Sequence, residues 1–168
     1  MATKGTTFRD RTVLVTGASS GIGRETALAF AAAGANLVLV ARRAKALAKV
    51  AAEARKLGAQ TLVATADVTQ PEAVAGAFRK ALKRFGSVDV VVNNAGVLIP
   101  AKVVDLERAD LQRMLDVNLI GALHVMQEAV RQMRVQGRGH IVNVGSLAGR
   151  RGFSPLGGYC ATKFALVG

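Results

Sequence analysis

Residues 12–30 read TVLVTGASSGIGRETALAF: a β-branched apolar run, a turn holding Gly17, Gly21 and Gly23, and an alanine-rich stretch of helical character. Glycine in such a turn reverses the chain tightly, lets backbone approach a phosphate, and lets the helix pack close to the strand. The free N–H groups of the helix start then attract the anion. The spacing is G-x-x-x-G-x-G, and a βα turn that uses glycine for geometry alone is the plain alternative. A strand before it and a helix after it favour a dinucleotide-binding turn.

The same alternation runs outward along the chain. NLVLVA (36–41), QTLVATA (60–66), VDVVVN (88–93) and HIVNVG (140–145) join TVLVT (12–16) as strand candidates, with longer Ala- and Leu-rich stretches between them. That pattern predicts βαβ units, and the nearly continuous apolar strands suit a parallel sheet covered on both faces. The expected fold is α/β, a doubly wound parallel sheet of Rossmann type with five strands, in a single domain over residues 1–168. Residues 43–58 place Leu47, Val50, Ala54 and Leu57 on one helical face and Lys45, Lys49, Glu53 and Lys56 on another. TQPE (69–72) predicts a capping box, with Thr69 as cap, Glu72 answering it and Pro71 in the first turn. The helix that follows buries Val74, Phe78, Leu82 and Phe85. Residues 107–135 read as one or two helices with an apolar stripe of Leu119, Leu123, Met126, Val130 and Met133.

Cofactor choice is written at the end of the second strand, where a carboxylate would bind a ribose 2′-hydroxyl. The chain has Ala41, Arg42 and Arg43 there. A guanidinium fork matches a 2′-phosphate, so NADP(H) is expected in preference to NAD(H). Two solvated arginines at a helix start are the alternative, and cations there oppose the helix dipole.

Three further motifs make a family match specific: NNAG at 93–96, Ser146 after the fifth strand in IVNVGSLAG, and Tyr159-x-x-x-Lys163 thirteen residues beyond that serine. With TGASSGIG, this set resembles the short-chain dehydrogenase/reductase family from about Arg11 to Gly168. The resemblance implies that Gly17, Ser19, Ser20, Gly21, Ile22 and Gly23 hold the pyrophosphate and adenosine ribose, and that Arg42 binds the 2′-phosphate. It places Asp67 and Val68 against the adenine, and Asn94, Ala95 and Gly96 against the cofactor ribose, with Asn93 structural. Asn118, Ser146, Tyr159 and Lys163 match the catalytic tetrad, Tyr159 and Lys163 also touching the cofactor.

Hydride transfer to a carbonyl develops negative charge on its oxygen, which a general acid must meet. Tyrosine titrates near ~10, and a nearby cation favours the phenolate. Lys163, four residues on, shares a helix face with Tyr159. Ser146 would orient the substrate oxygen, and Asn118, by resemblance, would hold a water linking Lys163 to solvent. Alone, Y-x-x-x-K would read as an amphipathic helix with a snorkelling lysine; Ser146 at a strand's carboxyl end tips the balance.

Composition excludes several classes. Cys160 is the lone cysteine, so there is no disulfide framework and a reducing, cytoplasmic setting is expected. The leading MATKGTTFRDR lacks an apolar h-region, and the most apolar window, 27–41, falls short of the ~20 residues that span a bilayer. His124 and His140 have no ligand cluster around them, so no metal is expected. Lys and Arg number 23 against 11 acidic residues, a net charge of +12, yet aromatics make up 4% and there is no Trp. A solvated basic surface is therefore favoured over nucleic-acid binding, and neither nucleic acid nor membrane is expected as a partner. The expected partners are a small carbonyl or alcohol substrate and, by resemblance, a second copy in a homo-oligomer. GGYCATKFALVG (157–168) carries Tyr159 and Lys163 and then ends, where family members continue with further strands and a substrate-covering region. The expectation is a C-terminally truncated form. A nucleotide-binding form without catalysis is the second reading.

Overall fold

The computed structural model describes residues 8–168. Five parallel strands form one sheet in the order β3-β2-β1-β4-β5: β1 (Thr12–Thr16), β2 (Asn36–Ala41), β3 (Thr61–Thr65), β4 (Val90–Asn93) and β5 (His140–Asn143). Leu14 sits level with Val38 on one side and Val91 on the other. Strand order reverses between β1 and β4, and in such sheets the crevice outside the strands' carboxyl ends at that reversal receives the ligand.

Helices α1 (Gly21–Ala32) and α2 (Ala44–Lys56) cover one face, where Ala27, Ala31, Leu47 and Val50 meet Val13, Leu37 and Leu39. The other face is covered by α3 (Pro71–Phe85) and α5 (Gly121–Gln136), whose Phe78, Ala81, Val125 and Ala129 meet Leu14, Val38 and Val91. The alanines let these helices lie close to the sheet. Helix α4 (Arg108–Leu115) runs into α5 through a π-helical turn, Asp116–Ile120, and α6 (Gly157–Val167) closes the described chain.

Several local expectations need correction. The α3 cap is Gln70, with no side-chain cap bond; Thr69 instead gives its N–H and hydroxyl to Asp67 Oδ1 at 3.0 and 2.9 Å. Thr69 stands one residue before the cap position, where its hydroxyl and N–H close a turn on the carboxylate two residues back. Leu57 is not in the α2 core stripe, because the helix ends at Lys56 and leaves it half exposed. On α5 the buried face is Ala122, Val125 and Ala129, spaced by three and four, with Met133 packed at its edge; Leu123 and Val130 of the expected stripe point to solvent. β5 is not covered on both faces: His140, Val142 and Asn143 are exposed.

Candidate active site

The crevice at the strand reversal is built by hydrogen bonds between the glycine turn and the NNAG segment. Thr16 Oγ1 accepts the N–H groups of Asn94 and Ala95, each at 3.0 Å, and Asn94 Nδ2 donates to Thr16 O at 3.0 Å. This explains two of the glycines. A Cβ on Gly17 or Gly23 would lie 2.8 or 2.4 Å from Asn94 Nδ2, so any side chain would force the two loops apart. Asn93 turns away, donating to Ala122 O and Asn143 Oδ1 at 3.0 and 3.1 Å.

A cleft of about 380 Å³ results. Gly17, Ser19, Ser20 and Ile22 line one wall, Arg42, Arg43, Asp67 and Val68 one end, and Asn94, Ala95, Gly96 and Val97 the other wall. Gly21 and Gly23 shape the turn without lining the cleft. The start of α1 has no acidic residue in its first turn, and its cap Ser20 makes no side-chain cap bond, so the helix's free N–H groups and positive end remain available to an anion. The free helix N–H groups, the glycine turn and the two guanidiniums give this cleft an electropositive lining suited to an anionic ligand.

The sequence names both arginines and, by resemblance, gives the phosphate to Arg42, but it is Arg43 that reaches the glycine turn. Its guanidinium bonds Ser19 Oγ and Ser20 Oγ at 3.1 and 3.0 Å, across the mouth of the cleft, while Arg42 lies 3.8 Å from Asp67 and is mostly solvent-exposed. The doubled arginine was the available signal; spacing alone could not say which one reaches the loop.

Asn118, Ser146, Tyr159 and Lys163 stand outside the lining of this cleft and are tied to one another through neighbours. Lys163 is 5% exposed; its Nζ donates to Val144 O at 2.9 Å and lies 5.9 Å from the centre of the Tyr159 ring. Burial pulls its pKa below the usual lysine value. Ser146 caps a 3-10 turn, its Oγ accepting Ala148 N–H at 3.1 Å. One lone pair is thereby fixed and the hydroxyl hydrogen is left to donate elsewhere. Asn118 is 1% exposed and spends its amide on protein: Oδ1 accepts Val97 N–H at 2.8 Å, and Nδ2 donates to Val97 O at 2.9 Å and Thr162 Oγ1 at 3.0 Å. Both amide hydrogens are engaged, so the side chain acts as a brace between Val97 and Thr162. Thr162 in turn donates to Tyr159 O at 2.8 Å. Val97 and Thr162, which the sequence reading did not single out, thus link the cleft wall to the helix that carries Tyr159.

His124 Nδ1 lies 3.0 Å from Val68 O, and Cys160 is buried in α6. Among the described residues no group of three or more His, Cys, Asp or Glu is placed to hold a metal ion, and no helix is long and apolar enough to cross a membrane.

Residues 11–168 match the family model described as short chain dehydrogenase. The chain belongs to the short-chain dehydrogenase/reductase family. An uncharacterized oxidoreductase of Staphylococcus saprophyticus is 39% identical over 94% of this chain and 63% of its own length. A 3beta-hydroxysteroid dehydrogenase of Mediterraneibacter gnavus is 39% identical over 96% of this chain and 58% of its own. The crystal structure of an NAD+-bound xylitol dehydrogenase superposes with a TM-score of 0.93 at 37% identity, covering 95% of this chain and 62% of that one. This short-chain dehydrogenase/reductase chain therefore spans about three-fifths of the length of the curated relatives it matches, and it shares the parallel Rossmann-type sheet of the solved members.

Proposed function

We propose that this chain is the nucleotide-binding unit of an NADP(H)-dependent oxidoreductase that interconverts a carbonyl and an alcohol. The observation that carries the reading is the presence of two sites at the carboxyl ends of the strands, with Lys163 reaching Val144 O just past β5. One is a cleft with paired arginines and no carboxylate at the end of β2; the other is a buried lysine beside Tyr159 on α6. The nicotinamide cofactor, when bound, supplies or accepts the hydride. Arg42, Arg43 and Ser19 would hold the 2′-phosphate, the glycine turn and α1 start the pyrophosphate, Asp67 and Val68 the adenine, and Asn94, Ala95 and Gly96 the ribose.

In reduction, Tyr159 Oη gives its proton to the substrate oxygen as negative charge develops there; in oxidation the phenolate takes the alcohol's proton. Lys163, held by Val144 O, brings the cation that favours the phenolate. Ser146, one lone pair fixed by Ala148 N–H, donates its hydrogen to the same substrate oxygen. Asn118 is a positioning residue, fastening Val97 on the cleft wall to Thr162 on the catalytic helix. Residues 1–168 act as one domain in this reading. The single, buried Cys160 supports a reducing, cytoplasmic setting, and the exposed Leu123 and Val130 on α5 support a homo-oligomer. A nucleotide-binding role without turnover is the second reading, favoured by a cleft whose lining includes none of Asn118, Ser146, Tyr159 and Lys163.

Fluorescence titration with NADPH and NADH tests the cofactor assignment, and NADPH oxidation with a panel of aromatic and steroid ketones tests the chemistry. NADPH should bind more tightly, and Tyr159→Phe should lower turnover by at least about 10²-fold with NADPH affinity almost intact. Equal or tighter NADH binding would sink the arginine assignment, and turnover surviving in Tyr159→Phe would sink the proton donor. Cofactor binding without turnover in the unaltered chain would favour the second reading.

A further inference from the structure

The geometry points to the edge of the sheet opposite the cofactor cleft as a docking surface for an anionic lipid bilayer. In a parallel sheet with helical crossovers, the strands start and the helices end on the same edge, and the sequence loads that edge with cations. Beneath β3, Arg55 and Lys56 end α2 and Lys83 and Arg84 end α3. Two hydrogen bonds fix this grouping: Arg55 Nε to Thr61 Oγ1 at 2.9 Å and Arg84 Nη2 to Gln60 Oε1 at 2.9 Å. Beneath β1 stand Arg9 and Arg11; beyond β4, Arg134 ends α5 and Arg138 leads into β5. All eight cations are exposed.

The carboxylates at this edge are Asp10 and Asp89. Asp89 is 6% exposed and shared between Arg11 and Arg138, each at 3.2 Å, so it faces inward and leaves a net positive charge outside. Glu53, next along α2, is paired with Arg24. Eight cations against two carboxylates is about half of the chain's net +12. Helix dipoles favour basic residues in a last turn, but Arg9, Arg11 and Arg138 lie outside any helix.

The choice of lipid over nucleic acid rests on what stands among the cations. Leu57 at the β3 end is 50% exposed and Val135 at the β5 end is 88% exposed, each next to a basic residue. They bracket an edge five strands wide, roughly 20 Å at the spacing of paired strands. Aliphatic points within a cationic plane suit the boundary between headgroups and acyl chains. The two aromatic residues among the described residues of this edge are not free platforms for bases: Phe8 is half-buried with its ring against Phe30, and Phe85 is half-buried with the Arg84 guanidinium 5.3 Å over its ring. Docked this way, the cofactor cleft at the other end of the strands faces water.

Co-sedimentation of the full chain with phosphatidylcholine vesicles, with and without phosphatidylglycerol, tests this. Binding should require phosphatidylglycerol and fall with added salt. Lys56→Glu with Lys83→Glu, neither of which makes a side-chain hydrogen bond or ion pair among the described residues, should weaken partitioning roughly thirtyfold or more, and Val135→Asp should weaken it too. The control, Lys102→Glu with Arg108→Glu, removes the same charge from the opposite end and should leave partitioning unchanged. Equal binding to neutral vesicles, equal loss in the control, or no effect of Val135→Asp would overturn the proposal. Binding to an RNA or DNA duplex in place of vesicles would overturn it in favour of nucleic acid. Thermal melts of each variant separate lost docking from lost folding.

Discussion

Asp89→Ala should destabilise the chain by about 2–4 kcal/mol. The carboxylate lies at the start of β4, 6% exposed, and accepts Thr12 N–H at 3.0 Å, Ser87 Oγ at 2.9 Å and the guanidiniums of Arg11 and Arg138. It thereby ties the starts of β1, β4 and β5 together across long stretches of sequence. Thr12 is 1% exposed, so its N–H loses its acceptor with no water to replace it, costing about 1–3 kcal/mol. The two arginines are 48% and 59% exposed, and each pair adds about 0–1 kcal/mol. Asp89→Asn keeps one acceptor for Thr12 and should cost about 1 kcal/mol. Urea unfolding followed by circular dichroism at neutral pH reads both: with a slope of about 2 kcal/mol per molar, the alanine midpoint should fall by roughly 1–2 M and the asparagine midpoint by less than half of that.

Burial raises the Asp89 pKa, but the bonds from Thr12 N–H, Ser87, Arg138 and Arg11 outweigh it, and the group sits below its ordinary value. A carboxylate depressed in the folded state adds stability that is complete above the unfolded pKa near ~4 and disappears as pH falls through the lower folded value. The unaltered chain should therefore lose stability across that acid window more steeply than Asp89→Asn. An alanine variant within about 0.5 kcal/mol of the parent, or identical acid profiles for parent and Asp89→Asn, would refute the reasoning.

Gly121→Ala would set a Cβ 2.7 Å from Val68 Cγ2 and 3.2 Å from Asp116 O. Overpacking of about 1–3 kcal/mol exceeds the gain in helix propensity of about 1 kcal/mol, so a thermal melt should show a loss of a few degrees; unchanged stability would mean that α5 has room against Val68. If the proposed cofactor assignment holds, Arg43→Ala should weaken NADPH binding by about tenfold and leave NADH binding unchanged, because a charge-assisted bond to a 2′-phosphate would be partly offset by the Ser19 and Ser20 bonds that Arg43 gives up. An equal loss for both nucleotides in calorimetry would assign Arg43 to holding the loop instead.

By itself the sequence determined the alternation of strands and helices, the glycine turn and the motifs of the family. These are local signals: a β-branched run, a 3.6-residue stripe or a G-x-x-x-G-x-G turn is written in adjacent residues, and all five strands appear within a few positions of where their apolar runs predict them. The grouping of Asn118, Ser146, Tyr159 and Lys163 as one candidate site rested on resemblance, because long stretches of chain separate Asn118, Ser146 and the Tyr159 helix. Tertiary structure decided which partner each polar group takes. Thr69 abandons the α3 cap for Asp67, Arg43 and not Arg42 reaches the serines, and Asn118 spends its amide on Val97 and Thr162. Packing also decided which face of α5 goes inward, choosing Ala122, Val125 and Ala129 over Leu123 and Val130. The reason is common to these cases. Hydrophobic period fixes an element's type from one segment, whereas a hydrogen bond or a close packed contact depends on two segments whose separation the period does not encode.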